Sequence, residues 1–457
     1  MSWKDNFNIT IIAVLFFVAK LLTLGFYKIV WWDSAVYIGM GKYIYSFGAA
    51  GLWEPLRPVM WPLILGVLWK AGMNVILAGR ILEIAIGSLC ILLTYFIGKR
   101  VFNEKTGLLA AVFLALSPTF FFFSGIMLAE IVSTFFSLLS IYLMLRKKYF
   151  FSGLILALAF LARYHQLIAF AAAVLALSIP FEKKTIKNAF KLIIGFSVPM
   201  AFILILNQIL YHNPLLPFLQ YLSVYHYTGG LHSYPLDYYF VELFRENFLY
   251  LLFIGGLLKI PIREYGKNLV SISFLLLFIF FNVTNQKEIR LIIAFLPFLY
   301  LLAASFIIGI YNEVKSKWLI SGITIIIVLS LAFSIVKINS YYRDADKFDS
   351  YKDLSLAFNS QAKGKIWVSS PVIAVFSDKK VDRLMYYPIF NEDKKNELIK
   401  DSANAGYILL DLCDLGCRQD YADCEKNKLQ LLDFFKNKME TAYSSAENKC
   451  GQYIFKK

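Results

Sequence analysis

The sequence predicts an all-α polytopic membrane domain of about eleven transmembrane helices with interfacial helices, followed by a small α/β extracytoplasmic domain. Three observations carry this. Of 457 residues, 59% are hydrophobic, and the mean hydropathy is +0.61, more apolar than a soluble domain, in which about half the residues are apolar. The apolar residues come in long blocks and not in amphipathic stripes. Beyond about residue 340 the chain becomes Lys- and Asp-rich with only short apolar runs. The expected domains are therefore residues 1–339 and 340–457.

A helix needs roughly 20 apolar residues to cross the hydrocarbon. That ruler places helices over 7–30, 79–98, 107–124, 131–146, 149–164, 166–181, 190–210, 248–261, 268–284, 291–310 and 318–338. The first block has no small-residue cleavage site after it and reads as a retained helix. The pair 149–164 and 166–181 is short and broken by "ARYHQ", as two tilted helices or one deformed one. "LWEPLRPVMWPLILGVLWKAGM" is apolar but interrupted by Pro55, Pro58 and Pro62, which fits a helix lying in the interface.

The formal charge of +15 does not indicate nucleic acid, because most Lys and Arg lie in short loops between apolar blocks. "GKRVFNEKTG", "RKKY", "FEKKTIKNAFK", "KIPIREYGKN" and "NEVKSK" fall on alternate sides of the spans. Taken as cytoplasmic, they put the N-terminus inside and the tail outside. The plasma membrane is the expected location.

In the tail, "KIWVSS" and "GYILLDL" read as strands, "NKLQLLDFFKNKM" as an amphipathic helix, and "CGQYIF" as a last strand. Four of the five cysteines lie there: Cys413, Cys417, Cys424 and Cys450. In an outward-facing domain they suggest disulfides, with three pairings open; a zinc site competes but lacks a second CxxC. Cys90 lies inside a helix and reads as packing.

Charges are rare inside membranes, so their placement is informative. Asp33 follows the first helix in "YKIVWWDSAVYI", and Arg57 sits between prolines. Glu130 follows "FFFFSGIMLA". Arg163, His165 and Gln166 come from the short hairpin, and Lys287, Glu288 and Arg290 from "NQKEIR". All fall on the loops assigned to one face, as do the four histidines (165, 212, 226 and 232), which lack metal-binding spacing. A carboxylate can take a proton from a hydroxyl nucleophile, and Arg and Lys can stabilise a departing phosphate. The set suits transfer from a lipid phosphate.

Each residue also has a plainer reading. Trp31 and Trp32 are interface anchors. Asp33 alone would be a solvated loop acid, and Glu130 could cap the following helix. Arg57 could touch lipid headgroups. Arg80 and Glu83, spaced i,i+3, could simply pair. Lys20 could snorkel to the interface or serve the donor site. Tyr221, Tyr225 and Tyr227 with Gly229 and Gly230 suggest an aromatic loop over the site, or plain anchoring.

"WWDSAVYIGMGKYI", "EPLRPVMWPLILGVLWKAG" and the segment from "AGRILEIAIG" to "SPTFFFFSGIMLAE" resemble the membrane glycosyltransferases of the GT-C fold, which include the protein O-mannosyltransferases and the lipid A aminoarabinose transferase. "NQKEIRLIIAFLPFLYLLA" also resembles the His-Lys-Glu-x-Arg-Phe loop of dolichol-linked mannosyltransferases. Here Asn285 and Gln286 stand where the His is expected, and Leu291 replaces the Phe. The resemblance covers roughly residues 1–310. It implies an inverting transferase in which Asp33 is the catalytic base. Glu130 becomes the second acid, orienting the acceptor or, in some members, holding a metal. Arg57, Lys287 and Arg290 become donor-phosphate ligands, with Arg163, His165, Gln166, Glu288 and Tyr225 as substrate contacts. The implied partners are a polyprenyl-phosphate sugar, a protein, lipid or glycan acceptor, and the bilayer. No cofactor is firmly implied, and a divalent metal stays open. The rival reading is a transporter or flippase of a polyprenyl-linked substrate. That would call for polar residues at the bilayer midplane and often two matching halves, neither of which is visible. A non-enzymatic anchor for the outer domain is a third.

Overall fold

The structure is a computed structural model describing residues 7–27, 30–179, 183–228, 234–259, 264–314, 316–345, 364–385, 390–417, 421–445 and 451–457. The chain divides into two compact units. The first comprises residues 1–27, 79–215 and 234–347, and the second residues 28–78, 216–233 and 348–457. This contact-based division differs from the sequence-based division at 339/340 by placing 28–78 and 216–233 with the tail.

The first unit is helical. It contains α1 (Phe7–Leu22), α4 (Val75–Val101), α5 (Glu104–Leu116), α6 (Pro118–Phe123), α7 (Ala129–Leu145), α8 (Tyr149–Ala162), α9 (Leu167–Ser178) and α10 (Lys183–Tyr211), then α12 (Tyr238–Glu246), α13 (Phe253–Leu258), α14 (Tyr265–Val283), α15 (Leu296–Glu313) and α16 (Lys317–Ala345). Among the described residues six stretches are long and apolar enough to cross a membrane: Phe7–Phe26, Val75–Val101, Thr185–Tyr211, Tyr265–Val283, Leu296–Glu313 and Trp318–Tyr342. The expected spans near 131–146, 149–164, 166–181 and 248–261 are shorter apolar helices. The expected span 107–124 is broken, because Pro118 cannot donate to a continuing helix and Ser117 instead caps a new one, accepting from Phe120 N–H. The hairpin around "ARYHQ" is two helices joined by a 3-10 turn, Tyr164–Gln166.

Small residues let these helices approach closely. A Cβ on Gly153 of α8 would lie 2.0 Å from the Leu192 carbonyl of α10, and one on Gly195 of α10 would lie 2.0 Å from the Phe150 carbonyl of α8. This is the packing mode expected where lipid removes the hydrophobic drive between helices. Lys20 neither snorkels nor reaches outward. It is fully buried, donating to the Tyr27 hydroxyl (2.5 Å) and the Tyr342 hydroxyl (3.0 Å), with the Phe121 ring 4.7 Å away. It ties α1 to α16.

The second unit is built on a five-stranded sheet of order β2-β1-β3-β5-β4, with β1 (Ile366–Val368), β2 (Arg383–Leu384), β3 (Tyr407–Asp411), β4 (Glu440–Ser445) and β5 (Gln452–Lys456). β1 runs parallel to β2 and β3, while β5 runs antiparallel to β3 and β4. β1, β3 and β5 match the strands read from sequence, and the helix Cys424–Lys438 matches the amphipathic segment. β2, β4 and the helix Glu392–Asp401 were not legible.

Side chains of successive strand residues point to opposite faces, and both faces are covered. Trp367, Ile408, Leu410 and Phe455 pack with Leu398, Leu431 and Phe435 of the two tail helices. Ile366, Val368, Tyr407, Leu409 and Ile454 pack with Val36, Met40 and Leu52. The segment after the first span is thus part of the core of this unit. It forms α2 (Trp32–Tyr45) and α3 (Met60–Lys70), which meet through Gly41 and Gly66, where a Cβ on either would come within 2.7 Å of backbone of the other helix. α11 (Leu216–Thr228) also belongs here. Cys417 and Cys424 form a disulfide and Cys413 is disulfide-bonded, while Cys450 lies outside the described residues. Cys90 is free and buried.

Candidate active site

The candidate residues fall into two clusters, one in each unit. In the second unit, Asp33 is not a loop acid. It occupies the first turn of α2 and is 8% exposed. An acid is favoured there by the partial positive charge of the helix N-terminus. Arg57 lies in the turn between Pro55 and Pro58, closed by Arg57 N–H donating to the Glu54 carbonyl at 3.1 Å. The flanking rings restrict the backbone on both sides and so aim the side chain. Its Nη1 is 2.9 Å from Asp33 Oδ1 and its Nε 2.8 Å from Glu54 Oε2. Burial works against the guanidinium charge, but the Asp33 and Glu54 carboxylates outweigh it and hold Arg57 well above its ordinary range. Glu54 was not among the candidates. Its spacing of three from Arg57 was the available signal.

In the first unit, Glu130 opens α7 and is 2% exposed. Its Oε1 accepts from Arg163 and lies 3.5 Å from Arg290 Nε. Arg290 also pairs with Glu288 Oε2 at 2.6 Å. Two acids and two arginines from three chain segments thus share one network, in which charged pairs offset one another's burial. Among the described residues Glu130 Oε2 and His165 Nε2 are buried without a hydrogen-bond partner. His165 packs edge-on against Phe281. Gln166 accepts from Ser137 at 2.7 Å and donates to Ser133 at 3.2 Å, both on α7, so it fastens α7 to the hairpin. Lys287 Nζ donates to the Tyr234 and Thr284 carbonyls at 3.0 and 2.9 Å. Tyr225 lies in α11, and its side chain is outside the described residues, as are Gly229 and Gly230.

Sequence reasoning missed the role of Glu83. Its carboxylate, fully buried in α4, accepts from the backbone N–H groups of Gly125, Met127 and Leu128 at 2.7, 2.6 and 2.8 Å. It therefore holds the loop that leads into Glu130. Arg80 donates to the Tyr27 carbonyl at 3.0 Å.

Among the described residues no three His, Cys, Asp or Glu side chains group as a metal site. Glu130 Oε1 faces two guanidinium groups, a setting that opposes a cation at that oxygen. The residues do not fit a metal there.

Residues 56–209 match the family described as dolichyl-phosphate-mannose-protein mannosyltransferase. ArnT from Cupriavidus metallidurans, solved bound to undecaprenyl phosphate, superposes with a TM-score of 0.67 at 12% identity, over 98% of each chain. The fold is that of the GT-C glycosyltransferases. The Archaeoglobus fulgidus oligosaccharyltransferase in the apo form superposes with a TM-score of 0.63 at 10% identity, over 90% of this chain and 70% of that one. The same organism's AglB, in complex with an inhibitory peptide and a dolichol-phosphate, gives 0.58 at 12% identity, over 99% and 74%. No curated protein matches the chain. The GT-C resemblance read from the motifs is borne out at the level of the fold.

Proposed function

We propose that this chain is an inverting glycosyltransferase that moves a monosaccharide from a polyprenyl-phosphate donor, of the dolichyl-phosphate type, to a protein, lipid or glycan acceptor on the outer membrane face. The observation that carries the reading is the Asp33–Arg57–Glu54 constellation at the start of α2, within a chain that follows along its whole length a protein solved with undecaprenyl phosphate.

In this reading Asp33 accepts the proton of the acceptor hydroxyl as that oxygen bonds to the anomeric carbon of the sugar. The bond from that carbon to the phosphate oxygen breaks on the opposite side, which inverts the centre. The electron pair leaves on phosphate, which needs no protonation. Arg57, 2.9 Å from Asp33, stabilises the departing charge, with Glu54 keeping its guanidinium oriented. Lys287 and Arg290 are further donor-phosphate ligands. Glu130 is the second acid, orienting the acceptor, and Arg163 aims it. His165, Gln166, Glu288 and Tyr225 complete the substrate contacts. The loop charges support a cytoplasmic N-terminus and an extracytoplasmic C-terminal domain in the plasma membrane.

The test compares purified wild type and Asp33→Asn with a panel of radiolabelled polyprenyl-phosphate sugars and native membranes as acceptor. Wild type transfers label, and the variant loses at least ~100-fold of that rate, the scale of a lost general base. Equal transfer by both removes Asp33 from the chemistry. Lipid movement across the bilayer without any transfer favours the flippase reading.

A further inference from the structure

The geometry points to Glu246 as a positioning residue that couples the C-terminal end of α16 to the segment carrying Glu130. The inference rests on the reading of Glu130 as the acid that orients the acceptor. It adds a residue that neither the charge pattern nor the motifs single out.

Glu246 closes α12 and is 3% exposed. Its Oε1 accepts from the Thr119 N–H at 3.0 Å, from the Thr119 hydroxyl, and from the Tyr341 hydroxyl at 3.3 Å. Thr119 lies in the first turn of α6, and Tyr341 near the end of α16. One carboxyl oxygen thus joins three helices. α6 has only six residues, fewer than the roughly 12–15 at which an isolated helix becomes marginal. Its place is therefore set by what grips it. At its start Glu246 takes an N–H that has no partner within the helix. Near its end the Phe122 carbonyl accepts from the Tyr27 hydroxyl, and the Phe122 ring lies 5.3 and 5.4 Å from the rings of Tyr341 and Tyr342. Consecutive tyrosines of α16 therefore hold both ends.

Two paths lead from α6 to the Glu130 network. The chain runs from Phe123 through the loop fastened by Glu83 into α7. α6 also packs against the 3-10 turn Ile289–Ala294, which carries Arg290. α12 braces the same turn from its other end, where the Tyr239 hydroxyl donates to the Glu288 carbonyl and accepts from the Glu288 N–H, both at 3.2 Å. From Tyr239 to Glu246 is about 10 Å along the helix. A shift of α16 at Tyr341 is thus passed to both Glu130 and Arg290.

Protonation adjusts this grip. Burial raises Glu246 from the ordinary carboxylate range to about 7, against the bonds from Thr119 and Tyr341, which lower it. The other titratable groups around it are Tyr250 of the 3-10 turn Phe248–Leu252, Tyr300 of α15, and Glu242 on its own helix, whose charge adds to the rise. Arg245 is engaged with Glu242 at 2.6 Å. The neutral carboxyl accepts its three bonds without a buried charge. Its contribution is full below the unfolded glutamate pKa of about 4.3 and is lost as pH rises through about 7.

Purified full-length protein in detergent is compared with Glu246→Gln, Glu246→Ala and Tyr341→Phe by amide hydrogen exchange and by transfer kinetics. Exchange across 117–130 rises about tenfold in Glu246→Ala, as for one lost hydrogen bond, and less in Tyr341→Phe, while α8 and α10 are unchanged. The acceptor KM rises in Glu246→Ala with the donor KM unchanged, and Glu246→Gln, which keeps the accepting oxygen, restores it. Transfer by wild type declines as pH rises through about 7, and Glu246→Gln, which cannot ionise, lacks this decline. Should Glu246→Ala fail to fold, Tyr341→Phe and Glu246→Gln carry the test. Unchanged exchange across 117–130 in the alanine and phenylalanine variants, or a decline shared by wild type and Glu246→Gln, overturns the proposal. Absence of transfer by wild type overturns the glycosyltransferase reading instead, and the exchange measurement still decides the coupling.

Discussion

Replacing Glu83 by alanine tests how the acid at the start of α7 is held in place. The wild-type carboxylate accepts three backbone N–H bonds, two on Oε2 and one on Oε1. Met127 and Leu128 are fully buried, so water cannot readily replace the lost acceptor. An unmade hydrogen bond of a buried group costs about 1–3 kcal/mol, and more when the partner was charged. Three such groups set an upper range of about 3–9 kcal/mol. Relaxation of the loop lowers this, because Met127 adopts φ 68°, a conformation costly to a non-glycine residue and held here by its bonds. The expected loss is ~4 kcal/mol. Glu83→Gln keeps one oxygen for Gly125 and Met127 but turns an amide N–H₂ toward the Leu128 N–H, so about half the loss is expected. Thermal unfolding in detergent gives the ordering wild type, Gln, Ala. Transfer activity should fall in the same order, since the loop enters the helix that carries Glu130. An alanine variant that melts with wild type would show that the three bonds contribute nothing, and the reasoning would fail.

Arg163→Ala leaves the buried Glu130 carboxylate with Arg290 alone, at 3.5 Å. Breaking a buried pair typically costs about 3–5 kcal/mol, and a lower unfolding midpoint restored in part by Arg163→Ala/Glu130→Gln would confirm the coupling. Gly195→Ala inserts a Cβ 2.0 Å from the Phe150 carbonyl, so α8 and α10 must separate, and unfolding should shift down by about 1–3 kcal/mol with no change in the α2–α3 unit. In that unit, burial raises Asp378, but its bond to Lys42 at 2.8 Å and the lysine charge overcome this and hold it below the usual aspartate range. Its contribution to stability is therefore complete above the unfolded aspartate pKa of about 3.9 and is lost as pH falls through the depressed folded value. Asp378→Asn should flatten the acid limb of a stability-versus-pH curve, and an unchanged limb would count against the pair.

The sequence alone determined the parts that depend on local chemistry. Apolar block length placed the helices, because each must satisfy its own backbone in lipid. Alternation and amphipathic period found β1, β3, β5 and the helix Cys424–Lys438, whose faces are buried on one or both sides. Scarcity of charge in apolar surroundings picked out Asp33, Arg57, Glu130, Arg163, Glu288 and Arg290, which belong to the two ion-pair networks, but not Glu54, which completes the first. Tertiary structure decided the rest. β2 has two residues and β4 follows an exposed run, so neither carries a periodic signal, and they exist because β1 and β5 offer edges to pair with. Asp33 looked like a loop acid because α2 is short, and its helix is stabilised by packing Val36 and Met40 against the sheet, some 330 residues later in the chain. Glu83 looked like a partner for Arg80, three residues away. Its carboxylate instead spans 42 residues to the loop before Glu130, a contact that no local spacing encodes, since it depends on how α4 and α7 pack.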